Sequence, residues 1–189
     1  ISPAQVALAT DRAAQAGLDG RCSFVLGDFT DPPELGAFDL AFAIEAFVHS
    51  PAPGPFLRAA ARLLRPGGAL VVVDDFLAPG PRPPEGDRAV DAFVAGWHAR
   101  SVSTLADVAR LAAEAGLVLE DDRDLTPLVP VGRPRDVWIA ALVRALGWAP
   151  LRHPYWHSLV GGDALQTCLR RGWITYRRVV LRRTPAPGP

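Results

Sequence analysis

The sequence predicts an α/β fold built on a mostly parallel sheet. Residues 38–44 and 69–73 form two nearly continuous apolar runs, which is typical of strands covered on both faces. Residues 56–64 lie between them, have the pattern of a helix, and are stopped by the turn at 65–68. This order of strand, helix and strand is typical of βαβ units, whose sheets bind ligands beyond the carboxyl ends of their strands.

The first part of the chain predicts a helix and a further strand. Apolar residues at mixed three- and four-residue steps predict a helix over 2–17, with Ser2 as its N-cap and Gly17 at its end. A short apolar run at 22–26 predicts a strand that leads into the turn Gly27-Asp28. The chain opens with Ile1 at a helix boundary, which predicts that an upstream part is missing.

The second half predicts alternating helices and strands. The Pro-rich segment 79–86 is expected to be a mobile connection. Thr104 and Asp107 have the spacing of a helix cap. Pro154, between His153 and His157, argues against a helix at that point and so against a zinc site. Helices are predicted over 89–98, 105–115, 136–146 and 163–171, strands over 117–126 and 173–181, and a disordered tail over 185–189.

Composition limits the function classes. The 189 residues suit one domain, and a formal net charge of zero gives no field that favours nucleic acid or an anionic membrane. No apolar run reaches about 18 residues, so no membrane span is predicted. Cys22 and Cys168 are far apart in sequence and have no metal-ligand spacing. They are expected to be reduced thiols in a cytoplasmic protein.

Four polar residues follow the predicted strands of the first half, namely Asp28, Glu45, His49 and Asp75. Asp28 either accepts a hydrogen bond from an adenine amino group or caps a turn. Histidine ordinarily exchanges a proton near neutral pH, and a carboxylate from the neighbouring strand would orient its ring. His49 and Asp75 are therefore predicted to meet above the sheet as a proton-removing pair.

Two alternatives remain open at these positions. Asp74 and Asp75 are adjacent and can bind Mg²⁺, but no third convergent carboxylate is evident, so no metal is predicted. Tyr155, Trp156 and His157 can line an apolar substrate pocket, although core packing explains them equally well. The predicted substrate wall is Trp97, Tyr155 and Trp156.

Several segments together resemble small-molecule methyltransferases of the class I, S-adenosylmethionine-dependent family. Residues 1–5 resemble the entry to a helix beside the cofactor ribose, and Gly27-Asp28-Phe29 is similar to an acidic turn that contacts adenine. Residues 43–51 look like the segment after a strand in sterol C-methyltransferases and sugar O-methyltransferases. Residues 64–68 look like the family's helix-to-strand turn.

The resemblance implies a Rossmann-like, doubly wound sheet with a helical lid, lacking its first strands. It implies a domain over 1–184, with lid and substrate helices at 79–115 and 135–171. It further implies S-adenosyl-L-methionine as cofactor and a small-molecule acceptor, and it is compatible with a homodimer. The cofactor-side residues that it implies are Ser2, Gln5, Asp28, Phe29 and Ile44.

The implied reaction is removal of a hydroxyl proton by His49 and Asp75, with Glu45, Trp97, Tyr155 and Trp156 on the substrate side. The chain departs from the family in having Val48-His49 where many relatives have two histidines, and no glycine-rich loop is present. Two main alternatives and one weaker alternative therefore stay open. One is C-methylation of an isoprenoid or sterol-like acceptor, with Glu45 and aromatic residues stabilising a carbocation. The other is a non-catalytic methyltransferase-like scaffold, and a dehydrogenase is a weaker alternative.

Overall fold

The computed structural model describes residues 2–100, 102–146 and 153–185. Within these ranges the α/β class is confirmed. The strands are β1 Phe38–Ile44, β2 Leu64–Leu77, β3 Leu117–Asp124 and β4 Ile174–Arg183. The α-helices are α1 Pro3–Gln15, α2 Pro53–Leu63, α3 Pro84–Trp97, α4 Leu105–Glu114, α5 Pro134–Leu146 and α6 Pro154–Arg171. Two short 3₁₀ turns lie at Phe47–His49 and Thr126–Leu128.

The sheet has the strand order β1-β2-β4-β3. Only the β1–β2 pair is parallel among the described strands, because β4 returns antiparallel to both of its neighbours. The sheet is therefore mixed, and the predicted parallel pairing is limited to β1 and β2. Because β4 starts where β2 ends, Tyr176 pairs with Asp75 in register. This edge of the sheet thus collects residues from three strands.

The sheet carries a hydrophobic core on each face. Side chains of neighbouring strand residues alternate between faces, so Phe76 and Leu77 of β2 enter different clusters. One cluster joins the sheet to α2 and α4 and contains Leu57 and Phe76, both fully buried. The other joins it to α3 and α6 through Phe93. Packing on both faces fixes the position of the strand ends.

Two predicted helix starts are confirmed by their capping hydrogen bonds. The Ser2 hydroxyl accepts from the Gln5 N–H at 3.4 Å at the start of α1. The Thr104 hydroxyl oxygen accepts from the Asp107 N–H at 3.1 Å at the start of α4. Each bond satisfies a backbone donor that the first helical turn leaves free.

The predicted strand over 22–26 is wrong. These residues are exposed and irregular, and nearby Asp28 and Asp31 form only an isolated bridge. A strand needs a neighbour for its backbone hydrogen bonds, and within the described residues no strand lies beside the outer edge of β1. The apolar pattern was therefore insufficient to make a strand here.

The prediction that Pro154 argues against a helix is also wrong. Proline stands in the first turn of α6, where a missing N–H costs no helical hydrogen bond. The His153 ring caps the helix by accepting from the Tyr155 N–H at 3.2 Å. The helix is therefore 18 residues long and begins well before the predicted 163–171.

Helices α3 and α6 cross at two glycines. A Cβ atom placed on Gly96 would lie 2.5 Å from the His157 carbonyl oxygen and 2.6 Å from the Gly161 Cα. Only residues without a side chain allow this approach. The crossing brings the end of α3, and with it Trp97, against the sheet edge.

The remaining predictions have mixed outcomes. The segment 79–86 is partly helical, because α3 starts at Pro84 and not at residue 89. Most of the predicted tail, residues 186–189, lies outside the described residues. Cys22 and Cys168 are both free thiols. None of the described helices is long and apolar enough to cross a membrane.

Candidate active site

Glu45 follows β1 directly and has a backbone φ of +50°, in the left-handed region. Its N–H still donates to the Val73 carbonyl at 2.9 Å, which continues the β1–β2 ladder. Its carboxylate accepts a hydrogen bond from the Tyr176 hydroxyl at 3.1 Å. A non-glycine residue in this region carries a backbone strain of roughly 1–2 kcal/mol, a feature concentrated at functional sites.

Asp74 has a structural task. It is 1% exposed, and its carboxylate accepts from the Val48 N–H at 3.2 Å and from the Asp75 N–H at 2.9 Å. Burial raises the pKa of Asp74, and these backbone bonds oppose the rise. Asp74 thereby holds the 3₁₀ turn that carries His49. Its oxygens are committed to backbone donors, so the alternative of a magnesium pair with Asp75 has no support.

Asp75 points to the opposite face from Asp74 and has a different environment. It is 8% exposed, and no described residue forms a hydrogen bond with its carboxyl group. Burial raises the pKa of Asp75 to about 7, with further contributions from the negative charges of Asp74 and Glu45. The group is therefore able to hold or release a proton near neutral pH.

Asp75 faces a cavity of about 400 Å³, which we term the inner cavity. Burial, followed by the Glu45 charge, raises the pKa of Tyr176 to about 12, so its hydroxyl stays protonated and donates to Glu45. The walls are otherwise mainly apolar. The inner cavity is lined by Glu45, Asp75, Trp97, Leu128, Leu165 and Tyr176, among others.

A second cavity of about 770 Å³, the outer cavity, lies next to the first. His49 is exposed here, and its Nδ1 lies 3.4 Å from the His98 carbonyl oxygen. Trp97 and Gln166 line both cavities. They are held by hydrogen bonds from the Trp97 indole to Ser158 O at 3.1 Å and from Gly132 N–H to the Gln166 side chain at 3.2 Å. The outer cavity is lined by His49, Trp97, Arg135, Tyr155, Asp163 and Gln166, among others.

The structure gathers most predicted acceptor-side residues around these two cavities. Trp156 is half-buried and lines neither cavity. His49 and Asp75 face different cavities, and no hydrogen bond joins them. The predicted direct contact between them is therefore absent, because Val48 is buried and His49 turns away towards His98. The predicted residues that line a cavity are Glu45, His49, Asp75, Trp97 and Tyr155.

The predicted cofactor-side residues lie outside the inner and outer cavities. Ser2 and Gln5 line a shallow cavity of about 310 Å³ with residues 23–27. The carboxylate of Asp28 accepts from the Thr30 N–H at 2.8 Å and from its hydroxyl at 2.7 Å, and these bonds lower the pKa of Asp28. Asp28 therefore caps a turn, as one of the two sequence hypotheses predicted.

Phe29 and Ile44 are the other two predicted cofactor-side residues. The Phe29 ring lies edge-on to Phe56, with centroids 5.9 Å apart. Ile44 is 58% exposed at the end of β1. Within the described residues, neither side chain lines the shallow cavity of Ser2 and Gln5. The five predicted residues thus line no common cavity.

Comparison with known proteins supports a methyltransferase family. A family model described as a methyltransferase domain matches residues 1–72. The similar proteins support the class I, S-adenosylmethionine-dependent type. The chain is 37% identical to the 27-O-demethylrifamycin SV methyltransferase of Amycolatopsis mediterranei over 127 residues, 67% of the chain and 46% of that protein. It is 33% identical to the methyltransferase GfsG of Streptomyces halstedii over 127 residues, 67% of the chain and 45% of that protein.

Solved structures show the same methyltransferase fold. The geranyl diphosphate C-methyltransferase of Streptomyces coelicolor A3(2), solved with Mg²⁺, geranyl diphosphate and S-adenosyl-L-homocysteine, matches with a TM-score of 0.70 and 19% identity. The match covers 97% of this chain and 62% of that one. The chain spans about half the length of the curated relatives it matches.

Sequence reasoning missed several residues that line the two cavities. Tyr176 contacts Glu45 only because β4 inserts beside β2, and the sequence patterns do not predict this strand order. Gln166 and Asp163 were not predicted as cavity residues. The predicted helix began at residue 163, and so short a helix did not show which face of α6 lines the outer cavity. The alternating pattern of the last strand was the one available signal for Tyr176.

Proposed function

We propose that this chain forms the acceptor side of an enzyme that methylates a hydroxyl group of a small, largely apolar metabolite. The observation that carries the proposal is the position of His49, exposed in the outer cavity at the strand-end edge of the sheet. Methyl transfer from a sulfonium requires alignment of donor and acceptor and removal of the acceptor proton. An imidazole in a cavity of about 770 Å³ suits the second requirement.

The geometry around His49 indicates which ring nitrogen takes the proton. The His98 carbonyl can only accept a hydrogen bond, so Nδ1 at 3.4 Å carries the hydrogen when this contact forms. Nε2 is then the basic nitrogen and accepts the proton of the acceptor hydroxyl. Asp75 does not orient this ring, and we assign it a separate role in the inner cavity.

The predicted cofactor-side residues fit part of the cofactor. Polar side chains of Ser2 and Gln5 border the shallow cavity, and Phe29 and Ile44 have exposed apolar surfaces. Such groups suit a ribose and a purine ring. Bound S-adenosylmethionine would supply an electrophilic methyl group on sulfonium sulfur. Asp28 would remain an acceptor for an amino group, since its carboxylate is exposed.

A labelling experiment tests the proposed base. The chain is incubated with S-adenosylmethionine carrying a ¹⁴C-methyl group and a panel of hydroxyl-bearing acceptors. We expect His49→Ala to lower label transfer by about 10²-fold or more, the usual contribution of a general base. His157→Ala is the matched control, because His157 is exposed on α6 and lines neither cavity. Undiminished transfer by His49→Ala would contradict the assignment.

Methylation of carbon is the second candidate function. The inner cavity combines the Glu45 carboxylate with the rings of Trp97 and Tyr176, groups that stabilise a cation on carbon. Nuclear magnetic resonance of the labelled product decides between the candidates, since it locates the methyl group on oxygen or on carbon. Calorimetric titration with S-adenosylhomocysteine tests both against a scaffold, for which no heat of binding is expected.

A further inference from the structure

The inner cavity has an unbalanced charge. Two carboxyl groups, those of Glu45 and Asp75, line it. The other described residues of its wall are aromatic, aliphatic, prolyl or amide side chains, and none of them is basic. The neighbouring Arg177 of β4 alternates to the other face and pairs with Asp122 and Asp124. No described cation therefore neutralises the cavity.

Among the described residues, Asp75 is the carboxyl group of this cavity without a hydrogen-bond partner. Its neighbour Asp74, equally buried, is satisfied by two backbone N–H groups, whereas no described residue donates to Asp75. A buried carboxylate without a hydrogen bond or counter-charge is costly, and the nearby Glu45 charge adds repulsion. A positively charged ligand in the cavity would remove both costs.

The walls of the cavity select the kind of cation. A divalent metal prefers six or more oxygen ligands, and the amide oxygen of Gln166 already accepts from Gly132. The apolar side chains and the rings of Trp97 and Tyr176 instead suit hydrocarbon and the cation–π contacts of an organic ammonium group. A volume of about 400 Å³ accommodates such a group with its ring or chain.

We propose that the inner cavity binds a protonated amine of the acceptor, with Glu45 and Asp75 as its counter-charges. The inference rests on the proposed function and narrows its substrate class to small alcohols that also carry a basic nitrogen. Trp97 and Gln166 line both cavities, so one acceptor reaches the inner cavity with its amine and His49 with its hydroxyl. The amine is a recognition group and is not itself methylated.

A titration with matched probes tests the inference without cofactor. The chain is titrated calorimetrically at pH 8 with benzylammonium, benzyl alcohol and benzoate, which share one ring and differ in charge. We expect benzylammonium to bind about tenfold more tightly than benzyl alcohol, and benzoate to bind most weakly, because a buried charged hydrogen bond contributes at least this much.

Three variants locate the effect. Asp75→Asn and Glu45→Gln are each expected to weaken benzylammonium binding about tenfold and to change benzyl alcohol binding less than twofold. Asp163→Asn removes a carboxylate from the outer cavity and should leave benzylammonium binding unchanged. Circular dichroism tests whether each variant is folded. If Asp75→Asn is unfolded, the result for Glu45→Gln tests the amine site.

Equal affinity for benzylammonium and benzyl alcohol would overturn the amine site, as would an equal loss of affinity in Asp163→Asn. The titration contains no methyl donor, so its result is independent of catalysis. Absence of label transfer with intact discrimination would instead overturn the proposed function. Methyl transfer confined to acceptors without nitrogen would overturn the narrowed substrate class.

Discussion

The segment before β1 and the sheet edge at the inner cavity use the same kind of residue in opposite ways. Asp28 and Asp75 both follow an apolar run of sequence. Asp28 is exposed and satisfied by Thr30, which lowers its pKa. Asp75 is buried with no partner among the described residues, and its pKa is raised to about 7. An aspartate after a predicted strand thus becomes a turn cap or a reactive group according to its burial, which the local sequence does not encode.

Apolar residues of β1 and β2 show the same contrast in burial. Phe42 and Ile44 of β1 are 70% and 58% exposed, whereas Phe76 of β2 is fully buried. The family match over residues 1–72 therefore includes the less buried part of the described structure. The cavities lie mainly among residues beyond that match, in α3, α6 and β4.

The largest expected difference in stability is between alanine substitutions of the buried Phe76 and the exposed Phe42. Phe76→Ala should lower the free energy of unfolding by about 3–5 kcal/mol, because it leaves a cavity in a core with no solvent access. Phe42→Ala should change it by less than about 1 kcal/mol, since that side chain is 70% exposed. Urea unfolding of both variants measures the difference. Similar losses would contradict the contrast in burial.

A smaller difference in stability is expected between alanine substitutions of two glycines. Gly96→Ala should lower the free energy of unfolding by roughly 1–3 kcal/mol, because the new Cβ would lie 2.5 Å from the His157 carbonyl oxygen. Gly20→Ala is the control. Gly20 lies between α1 and β1, and nothing lies within 4 Å of an added Cβ there. Thermal unfolding by calorimetry compares the two. A stabilised Gly96→Ala variant would show that α3 and α6 do not depend on this crossing.

Much of the fold was predictable because local patterns and helix caps determine it. Ser2 and Thr104 cap helices as their spacing predicted, and both predicted strands of the first half formed. The prediction that β1 is covered on both faces is wrong, because most of its side chains are exposed at the edge of the sheet. The strand over 22–26 was not predictable, because a strand depends on a neighbour as well as on its own apolar residues. Pro154 misled the prediction because proline both breaks helices and begins them.

The candidate site was predictable in its residues and not in its contacts. Glu45, His49 and Asp75 were found because strand ends of a βα sheet gather at one edge. Their division between two cavities depends on the 3₁₀ turn that Asp74 holds and on the insertion of β4. Tyr176 lies about 130 residues from its partner Glu45 in the chain, so only the three-dimensional arrangement reveals their contact.

The state of Asp75 also makes stability depend on pH. Its pKa is about 7 in the folded chain and near 3.8 when unfolded, so its favourable contribution is complete below the lower value and is lost as pH rises to the higher one. The free energy of unfolding should therefore fall between pH 4 and pH 7, by up to about 1.4 kcal/mol per pH unit from this group. Asp75→Asn should lack that slope.

The most direct test of the contrast is a titration of the aspartate side chains by ¹³C nuclear magnetic resonance. One experiment follows the carboxyl carbons of Asp28 and Asp75, with Asp28→Asn and Asp75→Asn providing the assignments. We expect a midpoint near 7 for Asp75 and one below the ordinary value of 3.8 for Asp28. A midpoint for Asp75 at or below 3.8 would contradict the proposed amine site. It would mean that the protein or solvent already satisfies this carboxyl group.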